Sequence, residues 1–335
     1  MNTSMNRSPL ARLCENILGK SLYGKLRRVC YPLILARVRY TNRERIISPG
    51  TKNPGKTFYV IRRRASNAGL FSYLLTFLGH LKIAEKRNLI PVVDMLNYHN
   101  IYTQESAQVN AWDLFFSQPS PYCLSDVYES QKVVLSNLGD PVDCPSLSMD
   151  FFNNVDGIRS YWKEIFDRYI QVRPHIRDEA RKRYRQLFSA EDMVLGVLCR
   201  GSDYTALQPQ AHPVQPTVEQ VKEEIISITT RYHCNKIFLA TEDESIYRQL
   251  KSFFGDTLQT SGSAYVNYSG KGFLFRVDEE NKQSPVEIGQ EYLMDMLMLS
   301  FCDCLLAGRT SGAVGVALMN DHFRYEKYWD LGLYK

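Results

Sequence analysis

A chain of 335 residues is too long for one comfortable core and suits two domains of ordinary size. Hydrophobic residues at 44% and charged residues at 23% exclude a disordered or fibrous protein, and no apolar run reaches the roughly 20 residues that span a bilayer. The net charge of +5 is concentrated at one end.

Residues 1–50 form a basic segment. Between Met1 and Arg45, ten Lys and Arg residues stand against Glu15 and Glu44, and Leu10, Leu13, Ile17, Leu18, Leu22, Leu26 and Val29 recur near helical spacing. Such a helix can lie on an anionic membrane surface or pack on its own domain with a solvated basic face. Its apolar stretches are short and broken by charges, unlike a cleavable signal peptide. The expected location is therefore cytoplasmic, with peripheral attachment to the inner face of the cytoplasmic membrane, and no nucleic-acid partner.

The span 51–190 opens with a strand over Lys56–Arg62, a small-residue turn from Ala65 to Gly69, a helix over Leu70–Lys86 and a strand over Ile90–Asp94. This is the first unit of a parallel α/β domain. A short helix at Ala111–Phe116, a strand at Val133–Ser136 and helices at Ile158–Ile170 and Pro174–Phe188 complete it.

The span 191–335 repeats the pattern. Strands are expected at Val194–Cys199, Lys236–Thr241 and Cys302–Gly308, with helices at Val218–Tyr232, Glu244–Phe254, Ile288–Phe301 and Ser311–Met319. This alternation specifies a Rossmann-like sheet, and a long polar loop covers 260–287. The cysteines are scattered (Cys14, Cys30, Cys123, Cys144, Cys199, Cys234), Cys302 and Cys304 share one strand face, and no Cys-x-x-Cys or His-rich cluster occurs. Reduced thiols and no structural zinc are expected.

Open α/β sheets bind ligands at the carboxyl ends of their strands, and three such ends carry polar residues here. Arg200 follows the first strand in Arg200-Gly201-Ser202-Asp203-Tyr204; its fork suits phosphate oxygens, or it pins the turn by pairing with Asp203. Gly308-Arg309-Thr310-Ser311-Gly312 places hydroxyls, a cation and backbone N–H groups at a helix start, as an anion site or as an ordinary N-cap. Thr241-Glu242-Asp243 could read a ribose or cap the next helix. Asp295 lies in a nearly all-apolar helix, on one stripe with Glu287 and Glu291; either the stripe is solvated or its inner end meets a purine edge. Without an Asp-x-Asp pair, no metal is expected, and no cofactor other than a nucleotide-sugar donor substrate.

These segments together resemble a known superfamily. Gly196–Tyr204 resembles the His-x-Arg-x-x-Asp segment of the α1,6-fucosyltransferase, nodulation fucosyltransferase and protein O-fucosyltransferase superfamily. Ile237–Asp243 resembles its strand ending in Ala-Thr-Asp-Asp, and the run from Asp295 through Ser300, Asp303 and Leu306 to Thr310-Ser311 resembles its last block. Phe58–Met95, with Asn67-Ala68-Gly69-Leu70-Phe71, resembles the glycine-rich unit of bacterial members from polysaccharide loci. The family histidine two residues before the arginine is Leu198 here, and Tyr204 replaces the basic residue of the eukaryotic α1,6 enzymes.

The resemblance implies a GT-B fold of two Rossmann-like domains facing a central cleft, with GDP-fucose as donor and metal-independent inversion at the anomeric carbon. Carried over by position, Arg200 contacts the β-phosphate with Asp203 beside it, Asp295 the guanine, and Ser311 with Thr310, Gly312 and Arg309 the diphosphate. Asn67, Gly69, Ser202, Tyr204, Glu242 and Asp243 complete the expected substrate contacts. The acceptor is expected to be a glycan or lipid-linked oligosaccharide in surface polysaccharide or lipopolysaccharide synthesis. Another donor (GDP-mannose or a UDP-sugar), or a relative that binds glycans or a membrane complex without catalysis, is the alternative. Asp203, Asp94 and His212 stand as candidates for the general base.

Overall fold

The computed structural model describes residues 40–335 except 41, 66–67, 104–107, 146–150, 153–154 and 264–283, and the side chains of 155, 156, 158, 202 and 203. The basic stretch up to residue 39, and most of the 260–287 loop, thus lie outside the described residues.

Strands β1 (Arg45–Ile47) and β2 (Phe58–Arg62) lead to helix α1 (Leu70–Lys86), β3 (Ile90–Asp94), a 3-10 turn at Ala111–Leu114, helix α2 (Leu124–Tyr128) and β4 (Val133–Leu135). Helices α3 (Val155–Tyr169) and α4 (Pro174–Leu187) connect to β5 (Val194–Leu198), α5 (Ser202–Leu207), α6 (Val218–Tyr232), β6 (Lys236–Ala240), α7 (Glu244–Phe254) and β7 (Leu258–Gln259). After the loop come α8 (Pro285–Ser300), β8 (Cys304–Ala307), α9 (Ser311–Met319) and β9 (Tyr325–Tyr328).

Two sheets result, the layout expected of the GT-B class. The first has the order β1-β4-β2-β3, with β2 parallel to β3 and β4, and β1 antiparallel to β4. Its edge strand starts at Arg45, so this half reaches back into the segment 1–50. The second sheet has the order β7-β6-β5-β8-β9 and is parallel throughout. Every residue of β2 and β5 is buried, as strands covered on both faces by helices require.

Local chemistry fixes several helix starts. Thr217 and Gln220 cap each other at the head of α6, and Ser284 and Glu287 do so at the head of α8. The second box starts α8 at Pro285, one turn before the position that apolar periodicity suggests. Helices α2 and α5 and strands β1, β7 and β9 are too short for periodicity to register, and sheet pairing or packing defines them.

Helices α8 and α9 join the halves. α8 packs along α4, and α9 packs against α1, α3 and α8. Nearly every residue of α9 is apolar and buried, as befits a helix sealed on all sides. Two glycines permit that approach: a β-carbon at Gly312 would lie 2.3 Å from Tyr292 Oη, and one at Gly315 would lie 2.1 Å from a ring carbon of Phe71. The Phe71 and Tyr292 rings meet edge to face at 5.7 Å. One continuous core therefore includes Phe71 and Leu74 from the first half with Leu293, Leu305 and Val314 from the second.

Candidate functional site

In the second sheet β5 is central. The chain moves outward through β6 and β7, returns, and moves outward the other way through β8 and β9. The reversal falls between β5 and β8, where the following loops part and leave a crevice at the carboxyl edge. Leu198 lies opposite both Ala240 and Ala307, so Arg200, Glu242 and Arg309 all leave the sheet at that edge.

Arg200 Nη1 lies 2.8 Å from Glu242 Oε1, with the arginine side chain 15% exposed. Its guanidinium sits 4.8 Å from the Tyr204 ring centre, and Tyr204 meets the His212 ring at 5.7 Å. The arginine pair seen here is thus with Glu242, one strand over. Ser202 and Asp203 open α5 after Gly201, and their side chains lie outside the described residues.

The inner face of α8 supplies the other wall. Burial raises the Tyr292 phenol above its ordinary range, and Arg200, Glu242, Tyr204 and Asp295 all act electrostatically on it. Asp295 is buried, and its Oδ1 has no hydrogen-bond partner among the described residues. Burial pushes its carboxyl up to about 7; a hydrogen bond with Ser261 and the charge of Arg183 oppose the shift, while Glu291 and Glu242 add to it. The acidic stripe has three different fates. Glu287 is spent on the α8 cap, and Glu291 takes Arg183 Nη1 and Nη2 at 2.7 and 3.2 Å and the Ser263 hydroxyl at 3.1 Å. Asp295 is drawn inside.

Several expected contacts have other work. Asp243 is buried and caps α7, accepting from Ile246 N at 3.1 Å, so its carboxylate is turned into the helix rather than the crevice. Thr310 caps α9 by accepting from Ala313 N at 3.1 Å, which leaves Ser311 as the first helical residue. Gly312 is required by the close Tyr292 contact. Arg309 is 5% exposed, pairs with Asp330 at 3.1 Å and lies over the Phe152 ring at 5.4 Å, so it braces the β8–β9 side. Gly69 precedes α1 at φ −74°, with open space where a β-carbon would stand, so nothing there demands glycine. Asn67 lies outside the described residues.

Asp94 is excluded as a base by its partners. It accepts from Leu96 N, Asn97 N, Asn97 Nδ2 and Tyr128 Oη at 3.0, 2.9, 2.9 and 2.6 Å. Tyr292, Ser261 and Asp330 enter the site's surroundings without having been singled out in the sequence. Tyr292 alone left a local signal, one helical turn before Asp295; the others arrive from loops or from the last strand's continuation. Among the described residues no cluster of His, Cys, Asp and Glu is suited to a metal, and no helix is long and apolar enough to cross a membrane.

No family model and no curated protein matches the chain. Among solved structures it is similar to NodZ α-1,6-fucosyltransferase soaked with GDP-fucose, with a TM-score of 0.47 and 18% identity over 79% of this chain and 93% of that one. The fucosyltransferase NodZ from Bradyrhizobium gives 0.46 and 18%, over 78% and 92%. POFUT1 in complex with GDP gives 0.47 and 9%, over 83% and 99%. At these levels of similarity the chemistry is read from this chain's own residues.

Proposed function

We propose that this chain is a glycosyltransferase that moves fucose from GDP-fucose to a glycan hydroxyl, with inversion and without a metal ion. The observation that carries the reading lies at the sheet's reversal point, where Arg200 pairs with Glu242 and the buried Tyr292 and Asp295 of α8 lie within electrostatic reach of that pair. A diphosphate leaving group gains charge as the sugar bond breaks, and a fixed cation stabilises that charge more than the ground state. To serve, Arg200 exchanges Glu242 for a phosphate of higher charge. Asp295 supplies acceptor oxygens suited to a guanine edge. The choice of GDP-fucose follows the motif resemblance at Arg200, Asp295 and Ser311. Synthesis of a surface polysaccharide or lipopolysaccharide, with the basic segment 1–50 resting on the cytoplasmic face of the membrane, completes the proposal.

A thermal-shift panel of GDP, UDP, ADP, NAD and GDP-fucose, with and without chelator, tests it. A ligand at 100 times its dissociation constant adds about 2.7 kcal/mol of stability. Stabilisation by GDP and GDP-fucose that survives chelation is expected, and a response to UDP alone would replace the donor. The Arg200–Glu242 pair and Leu198 also fit a non-catalytic glycan-binding relative. Arg200→Ala separates the two: turnover should fall at least a hundredfold in an enzyme, whereas a binder has none to lose. For the membrane, co-sedimentation with anionic liposomes that weakens with salt is expected.

A further inference from the structure

The loop from Gln208 to Gln215 is held in a conformation that its sequence does not favour. Gln208 and Ala211 have φ of 43° and 62°, the left-handed region, which costs a residue with a β-carbon roughly 1 kcal/mol or more. Such a loop persists only when its surroundings over-determine it, and here the end of the chain does so. Ala211 N donates to Tyr334 O, Tyr334 N to His212 O and Val214 N to Gly332 O, each at 2.9 Å. Pro213 pairs with Leu333 as an isolated bridge, and Gln215 N donates to Tyr334 Oη at 3.3 Å. The clamp grips both sides of one residue, His212.

The result is a three-layer arrangement: the Arg200 guanidinium over the Tyr204 ring, and the His212 ring against that ring's edge. Among the described residues, Arg200 from the end of β5 acts electrostatically on the imidazole and Tyr204 from α5 meets its ring. Burial, and then the charge of Arg200, hold the imidazole below its ordinary titration range, so it is unprotonated at neutral pH.

We propose that His212 is the proton acceptor of the transfer reaction, an assignment that rests on the glycosyltransferase reading. The acceptor's hydroxyl oxygen bonds to the anomeric carbon while the bond from that carbon to the β-phosphate oxygen breaks. The electron pair leaves with GDP, whose growing charge Arg200 receives. The hydroxyl proton passes to an unprotonated imidazole nitrogen. Donor binding prepares this step. Burial and Arg200 keep the imidazole weakly basic; a diphosphate on Arg200 offsets that cation and raises the imidazole's proton affinity when a base is needed. Base and leaving-group cation are thus coupled through the Tyr204 ring. Of the other two candidates, Asp94 is engaged by four donors, and the Asp203 side chain lies outside the described residues.

The test needs no acceptor glycan, because water can take its place. GDP release from GDP-fucose is followed from pH 5 to 9 for the wild type and His212→Gln, beside the GDP thermal shift of each. The variant should keep the GDP shift, lose about 10²–10⁴-fold in rate at pH 7.5, and lose the fall in rate on the acid side. NMR titration of the His212 ring, assigned by its absence in His212→Gln, should show GDP raising its proton affinity at least tenfold. A wild-type rate and pH profile in the variant, or a ring titration unmoved by bound GDP, overturns the assignment and leaves the transferase reading standing. A wild type that neither binds GDP nor releases it from GDP-fucose overturns both.

Discussion

At the scale of single residues, Asp295 sets stability against function. Burial pushes its carboxyl up to about 7 in the folded chain from an ordinary 3.8. A folded-state value above the ordinary one means that the carboxyl favours folding fully below about pH 4, and that this contribution is lost as pH rises through about 7. Asp295→Asn should therefore match the wild type in urea at pH 4 and exceed it at pH 8, by on the order of 2–4 kcal/mol. The same variant should lose GDP affinity, since an amide offers one acceptor oxygen where a carboxylate offers two. Unliganded wild type that is no less stable than the variant at pH 8 would show that Asp295 ionises in a wetter place than the structure indicates.

At the scale of elements, the α1–α9 contact is where close packing decides most. Gly315→Ala drives a β-carbon into the Phe71 ring and should cost about 1–3 kcal/mol, measured by chemical denaturation. Phe71→Leu should recover part of that loss, so the double-mutant cycle will be non-additive by roughly 0.5–3 kcal/mol. Removing residues 332–335 tests a different element, the clamp on the His212 loop. The shortened chain should keep its GDP shift and lose turnover, which reads as a fall in kcat with KM for the donor little changed.

The long elements were legible in the sequence because each satisfies a local rule. Leu70–Lys86 carries apolar residues at helical spacing, and Val194–Leu198 is an unbroken apolar run. What escaped depends on distant partners: β9 exists because it lies beside β8, and α8 gains its first turn from a reciprocal cap at Ser284. Within the site the split is similar. Arg200 and Asp295 were visible as polar residues in apolar settings. That Arg200 pairs with Glu242, that Arg309 turns to Asp330 and that Thr310 spends its hydroxyl on a cap are matters of side-chain direction, which one-dimensional spacing does not carry.

At the scale of the whole molecule, one large core runs through both halves, since α8 and α9 pack against α1, α3 and α4, while each sheet keeps a smaller cluster of its own. Two sheets with separate cores would melt in two steps. Here a single calorimetric transition is expected, with GDP shifting the entire transition and not only its upper part. Two resolved transitions would mean that the joining helices contribute little to either half.

The central position of β5 also bears on how the chain is made. Val194 N donates to Asp303 Oδ2, 109 residues further along, and β5 is flanked on that side only by β8. At roughly 5–20 residues per second of synthesis, β5 waits about 5–20 s for that neighbour, and the apolar face of α1 waits longer still for α9. A ribosome paused ahead of β8 therefore displays the unfinished cores of both halves at once. Stalled or truncated chains ending there should occupy chaperones and pellet on lysis. An N-terminal fragment cut at the midpoint should be an insoluble product and not a folded domain.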